Sequence, residues 1–193
     1  MSEVRLAIRA YLYEQAAAYI RGNGAQDAPT IMALAADVGV NANYLTQVLG
    51  GERNFNLTLL WQLLAALRAR GFAPTVADAI YWPPLRRARA LPLLDAWRPE
   101  PVAADGEARL HLALDGYLRQ MREVARGGEP LAVPTTRSLA EAAGVSARTV
   151  QRLRADETHQ VRSELLSGIV RSLHYIGIDV RPEQLVAEPV GDA

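Results

Sequence analysis

Residues 34–54 read LAADVGVNANYLTQVLGGERN, and the order of small, apolar and turn-forming residues in this stretch decides the fold class. The spacing predicts a short helix running to about Val38, with Thr30, just after Pro29, as its N-cap. Gly39 falls where that helix must stop and the chain turn sharply, and a positive φ costs glycine nothing. Val40 then plugs the space between two helices, and Asn41 caps the second one.

The same pattern returns further along the chain. TIMALAADVGVNANYLTQVL (30–49) and TTRSLAEAAGVSARTVQRLR (135–154) are identical at six of twenty positions: Thr30/Thr135, Leu34/Leu139, Ala35/Ala140, Gly39/Gly144, Val40/Val145 and Ala42/Ala147. Leu45/Val150 and Val48/Leu153 keep apolar character, and Ser146 takes the capping place of Asn41. With one extra residue between, LLWQLLAALRARGF (59–72) aligns with LLSGIVRSLHYIGI (165–178). Each copy is preceded by an amphipathic helix, expected over Val4–Arg21 (Ile8, Leu12, Ala16, Tyr19) and from Leu110 (Leu114, Tyr117, Leu118, Met121). Gly22 and Gly24 end the first, and Gly127-Gly128 the second. Two short helices crossing steeply with glycine in the turn form a helix-turn-helix. The expected fold is therefore all-α: duplicated helical units at 1–82 and 106–193, each a helix-turn-helix with packing helices, joined by a proline-rich segment at 83–105.

That segment holds Pro83, Pro84, Pro92, Pro99 and Pro101, too many for one uninterrupted helix. Leu85, Leu91, Leu93 and Leu94 predict an ordered brace packing between the units, with Arg86, Arg87 and Arg89 facing water. Trp82 and Trp97 flank it. An arm laid along nucleic-acid phosphates is the other reading of those arginines.

Composition narrows the function. With 193 residues, 50% apolar and 22% charged, the chain has the profile of one or two globular domains and not of a disordered tail. It shows no apolar run of the ~20 residues a membrane span needs and no secretory leader, so a cytoplasmic protein is expected. Cysteine is absent and all 21 basic residues are arginine, which removes disulfides, thiolate metal sites, Schiff-base chemistry and the P-loop lysine. His111, His159 and His174 are not spaced as paired metal ligands. Neither an enzyme nor a cofactor is expected. Net charge is zero, so any electrostatic footprint is local. Residues 146–154 carry the strongest such cluster outside the connecting segment, three arginines and no acid.

LAADVGVNANYLTQVLGGERN followed by LLWQLLAALRARGF resembles the phage-repressor (Cro/cI, or XRE-type) helix-turn-helix family, over about 45 residues in each unit. One feature departs from that family: seven to nine residues separate the first two helices, where the family has a very short turn. The resemblance implies that the second helix of each motif meets DNA. With Leu45 taken as inward, Asn43 and Gln47 point outward with Thr46 beside them. Asn and Gln can each pair bidentately with the adenine edge in the major groove. In the second unit Arg148 and Arg152 take those places, with Gln151 nearby, and arginine suits guanine or phosphate. Arg154 replaces the inward Leu49 and is expected to turn its head out toward a docked backbone. Arg53 and Asn54, in the loop after the first such helix, sit where family members commonly contact the backbone. The expectation is sequence-specific binding of double-stranded DNA by a transcriptional regulator reading two unlike half-sites. A homodimer or another protein partner, and an effector pocket between units, stay open. The rival readings are a protein–protein module, or a DNA-docking subunit of a phage or mobile-element machine.

Overall fold

The computed structural model describes residues 4–24, 26–102, 109–155 and 160–190. His159 and the 103–105 end of the expected connecting segment lie outside them. The described chain is mostly helical, with strands of two residues. In order come β1 (Arg5–Leu6), α1 (Ile8–Ile20), α2 (Ile31–Val38), α3 (Ala42–Leu49), α4 (Leu57–Ala69), α5 (Val76–Ala79) and β2 (Ile80–Tyr81). A one-turn helix, α6 (Pro92–Asp95), precedes β3 (His111–Leu112), α7 (Leu114–Arg126), α8 (Thr136–Ala143), α9 (Ala147–Arg154), α10 (Ser163–Tyr175), α11 (Pro182–Leu185) and β4 (Val186–Ala187). The second series repeats the first in order and in length: α1, α4, α7 and α10 have 13 residues each, and α2, α3, α8 and α9 have 8.

Each series is closed on itself by a two-stranded antiparallel ribbon. Arg5 pairs with Tyr81 and Leu6 with Ile80, while His111 pairs with Ala187 and Leu112 with Val186. The helix expected from Val4 thus begins only at Ile8, and Leu110 lies ahead of α7. A two-residue strand is too short to write an alternating pattern into the sequence, so both ribbons escape a periodicity reading.

The glycine turns form as the residues demand. Gly39 and Gly144 adopt φ of 73° and 67°. The Val40 N–H donates to the Ala35 carbonyl at 2.9 Å and the Val145 N–H to that of Ala140 at 3.0 Å, so each turn closes the exposed carbonyls of the helix before it. Side chains start the helices. Thr30 accepts from the Ala33 N–H at 3.2 Å, and Asn41 from that of Asn43 at 2.8 Å. Thr135 and Ser138 cap each other's N–H groups reciprocally, and Ser146 accepts from the Thr149 N–H at 3.1 Å. Beneath them, Leu34, Leu45, Leu60, Leu63 and Leu67 are fully buried, as are Leu139, Val150, Leu166, Ile169 and Leu173. Each is worth about 1.5–3 kcal/mol relative to exposure.

Helix α8 crosses α10 more closely than α2 crosses α4. A Cβ on Gly168 of α10 would stand 2.2 Å from the Cα of Ala143, so only glycine permits that crossing. Its counterpart on α4 is Gln62, which lines an open groove of about 600 Å³ with Asp37, Val38 and Arg70. Arg70 spans the groove to Asp37 at 2.5 and 3.0 Å, and this bond holds the Asp37 carboxyl below the usual range.

The two series meet at one symmetric point. Asn56, just before α4, forms an antiparallel bridge with Arg162, just before α10. The Leu57 N–H donates to the Val161 carbonyl at 3.0 Å, and the Ser163 N–H to the Phe55 carbonyl at 2.8 Å. These residues hold the same places in their respective series, so the reciprocal bonds mark a local twofold axis. Other contacts tie the series away from the axis. The Trp82 indole donates to the Val180 carbonyl at 2.6 Å, Arg68 reaches Glu188 at 2.7 Å, and the Val4 N–H donates to the Ser167 hydroxyl at 2.9 Å.

Residues 83–102 lie along the second series. Leu85 and Arg89 donate backbone N–H groups to Asp179 and to the Gly177 carbonyl, both at 2.9 Å. Leu91 and Leu94 are buried, and Trp97 meets Tyr117 edge-on with ring centroids 5.6 Å apart. It is a brace, as expected, but one laid on the second unit. Leu93 departs from the expectation: it is 69% exposed, because α6 is a single turn and can turn only one side inward.

Candidate nucleic-acid interface

The outward faces of α3 and α9 carry the residues singled out from the sequence. On α3, Asn43 and Thr46 are exposed and Gln47 is half-buried, while Leu45, Val48 and Leu49 are buried. The Thr46 hydroxyl donates to the Ala42 carbonyl at 2.8 Å, so its oxygen is held against the helix. On α9, Arg148, Gln151 and Arg152 are exposed above buried Val150 and Leu153. Asn43 with Gln47, and Arg148 with Arg152, each stack one turn apart. Both pairs therefore present two planar hydrogen-bonding groups along one side of a short helix.

Beyond α3 the chain folds back tightly. The Glu52 N–H donates to the Gln47 carbonyl at 2.9 Å, and Gly51 takes φ of 77°. Arg53 is exposed, with its guanidinium carbon 5.9 Å from the centre of the Tyr44 ring. Tyr44 gave no sequence signal as a site residue. It shares α3 with the candidate contacts, and only the fold brings Arg53 back over its ring.

Two of the expected contacts turn elsewhere. Arg154 is half-buried and donates to Asp115 of α7 at 2.9 and 2.6 Å and to the Thr136 hydroxyl at 3.0 Å. It does not turn out toward solvent: its place on the inward side of α9 brings an acid within reach, and three hydrogen bonds hold it. It seats α9 on α7 and α8. Asn54 is tied to the other series, donating its amide to Glu164 and accepting from the Ser163 hydroxyl at 3.2 Å. Its side chain braces the loop beside the twofold axis. Neither partner could be found from local sequence, since Asp115 and Glu164 lie 39 and 110 residues away.

Other clefts and titrating groups sit away from these faces. A cleft of about 400 Å³ between the series is lined by Thr75, Val76, Arg98, Glu183 and Glu188 among others. His174 of α10 stands 3.5 Å from Asp179, and burial lowers its pKa below the ordinary histidine value despite that neighbour. Among the described residues no cluster of three or more His, Asp or Glu could hold a metal ion. No described helix is long and apolar enough to cross a membrane. Comparison with protein-family models, with curated proteins and with solved structures finds no match.

Proposed function

We propose that the chain binds double-stranded DNA sequence-specifically, as a transcriptional regulator built from two helix-turn-helix units in one polypeptide. The observation that carries this reading is the reciprocal bridge at Asn56 and Arg162, flanked by two glycine-turned helix pairs whose outward faces are polar. Leu49 ends α3 seven residues before Asn56, and Arg154 ends α9 eight residues before Arg162. Fully extended, such lengths reach at most about 25–29 Å from the axis. That reach is compatible with two recognition helices entering successive major grooves about 34–36 Å apart. Asn43 and Gln47 favour adenine in one half-site, and Arg148 and Arg152 favour guanine in the other. The bound site is therefore not a palindrome, although the protein is locally twofold.

Selection from a random duplex pool, followed by footprinting, tests this. The expected product is one site with an A·T-richer and a G·C-richer half about 10 base pairs apart centre to centre. Inserting about five base pairs between the halves turns the second onto the opposite face of the duplex and should abolish most of the affinity. A selected palindrome, or binding indifferent to the insertion, would refute the two-unit reading.

One observation favours a second reading, docking of a protein partner. Tyr13 and Ile20 of α1 are 66% and 83% exposed, where the corresponding residues of α7 are Arg119 and Arg126. The fold does not require apolar residues at that place, so a partner could account for them.

A further inference from the structure

We propose that the cleft between the brace and α7 binds a small carboxylate with an apolar body, a site that stands independently of the DNA-binding reading. The cleft has a volume of about 690 Å³, within the roughly 300–1,000 Å³ of sites for small molecules. Its apolar surface comes from elements that only the fold brings together: Trp97 and Val102 of the brace, Leu112 of β3, and Ala113 at the start of α7. Gly116 admits the indole. A Cβ there would stand 3.1 Å from Trp97 Cζ2, so the bare backbone lets the ring lie on the helix.

Charge decides the sign of the ligand. Arg98 and Arg119 line the cleft, both are exposed, and each shares its carboxylate with another arginine. Arg119 reaches Asp115 at 3.1 Å, but Arg154 already holds that carboxylate at 2.6 and 2.9 Å. Arg98 lies 3.5 Å from Glu183, which Arg181 approaches at 3.6 Å. Either arginine can therefore turn to a ligand and leave its acid with a partner. Glu100 and Glu123 are the acids of the cleft, and Glu123 is bonded to Arg126 at 2.5 Å. With those partners included, five arginines meet four carboxylates among the described residues, a surplus of one cation. No side chain caps the first turn of α7, and the helix dipole adds to the preference for an anion there. The surplus suits one negative charge, and the apolar wall suits the rest of the molecule. On α1, Tyr13 and Glu14 take the places of Arg119 and Gln120, so the anion site belongs to the second unit.

Isothermal titration of the full chain with naphthoate at neutral pH, against naphthylmethylammonium, tests the site. The carboxylate should bind once per chain and about 10-fold tighter than the ammonium ion, the factor expected for one hydrogen bond between charged groups. Arg119→Gln should weaken it by about 10-fold and Arg119→Lys by less, while Glu100→Gln should strengthen it. In proton–nitrogen correlation spectra, the indole N–H of Trp97, assigned with Trp97→Phe, should shift on adding naphthoate while that of Trp61 stays. Circular dichroism confirms that each variant is folded. Equal affinity for the ammonium ion overturns the proposed ligand class. Binding that ignores Arg119→Gln, or that leaves the Trp97 signal unmoved, overturns the site. Failure of both naphthoate and octanoate to bind at millimolar concentration overturns the proposal outright. None of these outcomes bears on DNA binding, which the duplex selection tests separately.

Discussion

Replacing Gly168 by alanine tests how α8, and with it α9, is seated on the long helix α10. The added methyl carbon would stand 2.2 Å from the Cα, 2.5 Å from the Cβ and 2.9 Å from the N of Ala143. An ordinary carbon contact needs about 3.5–4.0 Å, so the helices must part by more than about 1 Å. The nearest atom belongs to backbone, which leaves no flexible side-chain end to swing away. Overpacking of this kind costs typically 1–3 kcal/mol, and this case belongs at the upper end. For a chain of this size each kcal/mol shifts Tm by about 2–4 °C, so a fall of roughly 6–12 °C is expected in thermal unfolding followed by circular dichroism. The corresponding change in the first series, Gln62→Ala, touches an exposed side chain on the open groove and should stay within about 0.5 kcal/mol. Ala143→Gly in the Gly168→Ala background should restore little, since removing a Cβ leaves the 2.2 Å approach to the Cα in place. A Gly168→Ala protein that melts within about 1 °C of wild type would refute the close crossing.

Further outcomes follow from single side chains. Arg154→Ala strips Asp115 of a half-buried partner and should cost about 1–2 kcal/mol in chemical denaturation; an unchanged midpoint would show that the pair contributes nothing. Burial lowers the pKa of His174 in the folded state, so the unfolded chain takes up a proton first as pH falls below about 6.5. Stability is accordingly complete above that pH and declines below it. His174→Gln should flatten the decline, and an identical pH profile of Tm would show that another group causes it. On the proposed DNA reading, Arg148→Ala with Arg152→Ala should cost more affinity than Asn43→Ala with Gln47→Ala, at about 1–3 kcal/mol for each arginine paired with guanine. Equal losses by anisotropy, or none in the arginine variant, would retire α9 as a DNA-facing helix.

Features encoded within a few residues were legible in the sequence, and features made by distant residues were not. Gly39 and Gly144 could be read as left-handed turns because the apolar spacing stops there and a capping residue follows two places on. The inward and outward sides of α3 and α9 followed from the same spacing. Arg154 shows the limit: its position on the inward side follows from the spacing, but the destination of its guanidinium depends on Asp115, which only the packing of α7 against α9 supplies. Asn54 fails the same way, since Glu164 and Ser163 reach it across the twofold axis. Gly168 carries a local signal of its packing, since a glycine inside a helical stretch costs stability and so points to a packing reason. The ribbons carried none, because two residues cannot display a period.

The paired bridge at Asn56 and Arg162 bears on why the two outward faces differ so much. In a homodimer, any change to a recognition helix appears at both halves, and symmetry ties the two half-sites together. When both units belong to one chain, α9 can carry Arg148 and Arg152 while α3 keeps Asn43 and Gln47, with no symmetry to enforce agreement. What must stay matched is the seam, and there the chemistry has become complementary instead of equal. The Trp82 indole bonds Val180 on one side of the axis. At the corresponding place on the other side, Glu188 takes Arg68, which also donates to the Pro74 carbonyl at 2.8 Å. Two copies of the first unit would set Trp82 against Pro74 and take Glu188 from Arg68, leaving it the Pro74 carbonyl and the Trp61 ring, and two copies of the second would set Glu188 against Val180 with His174 in place of Arg68. The contacts on the two sides of the axis are thus unlike. On the proposed reading, that difference and the unlike outward faces of α3 and α9 let the protein distinguish one direction along the duplex from the other.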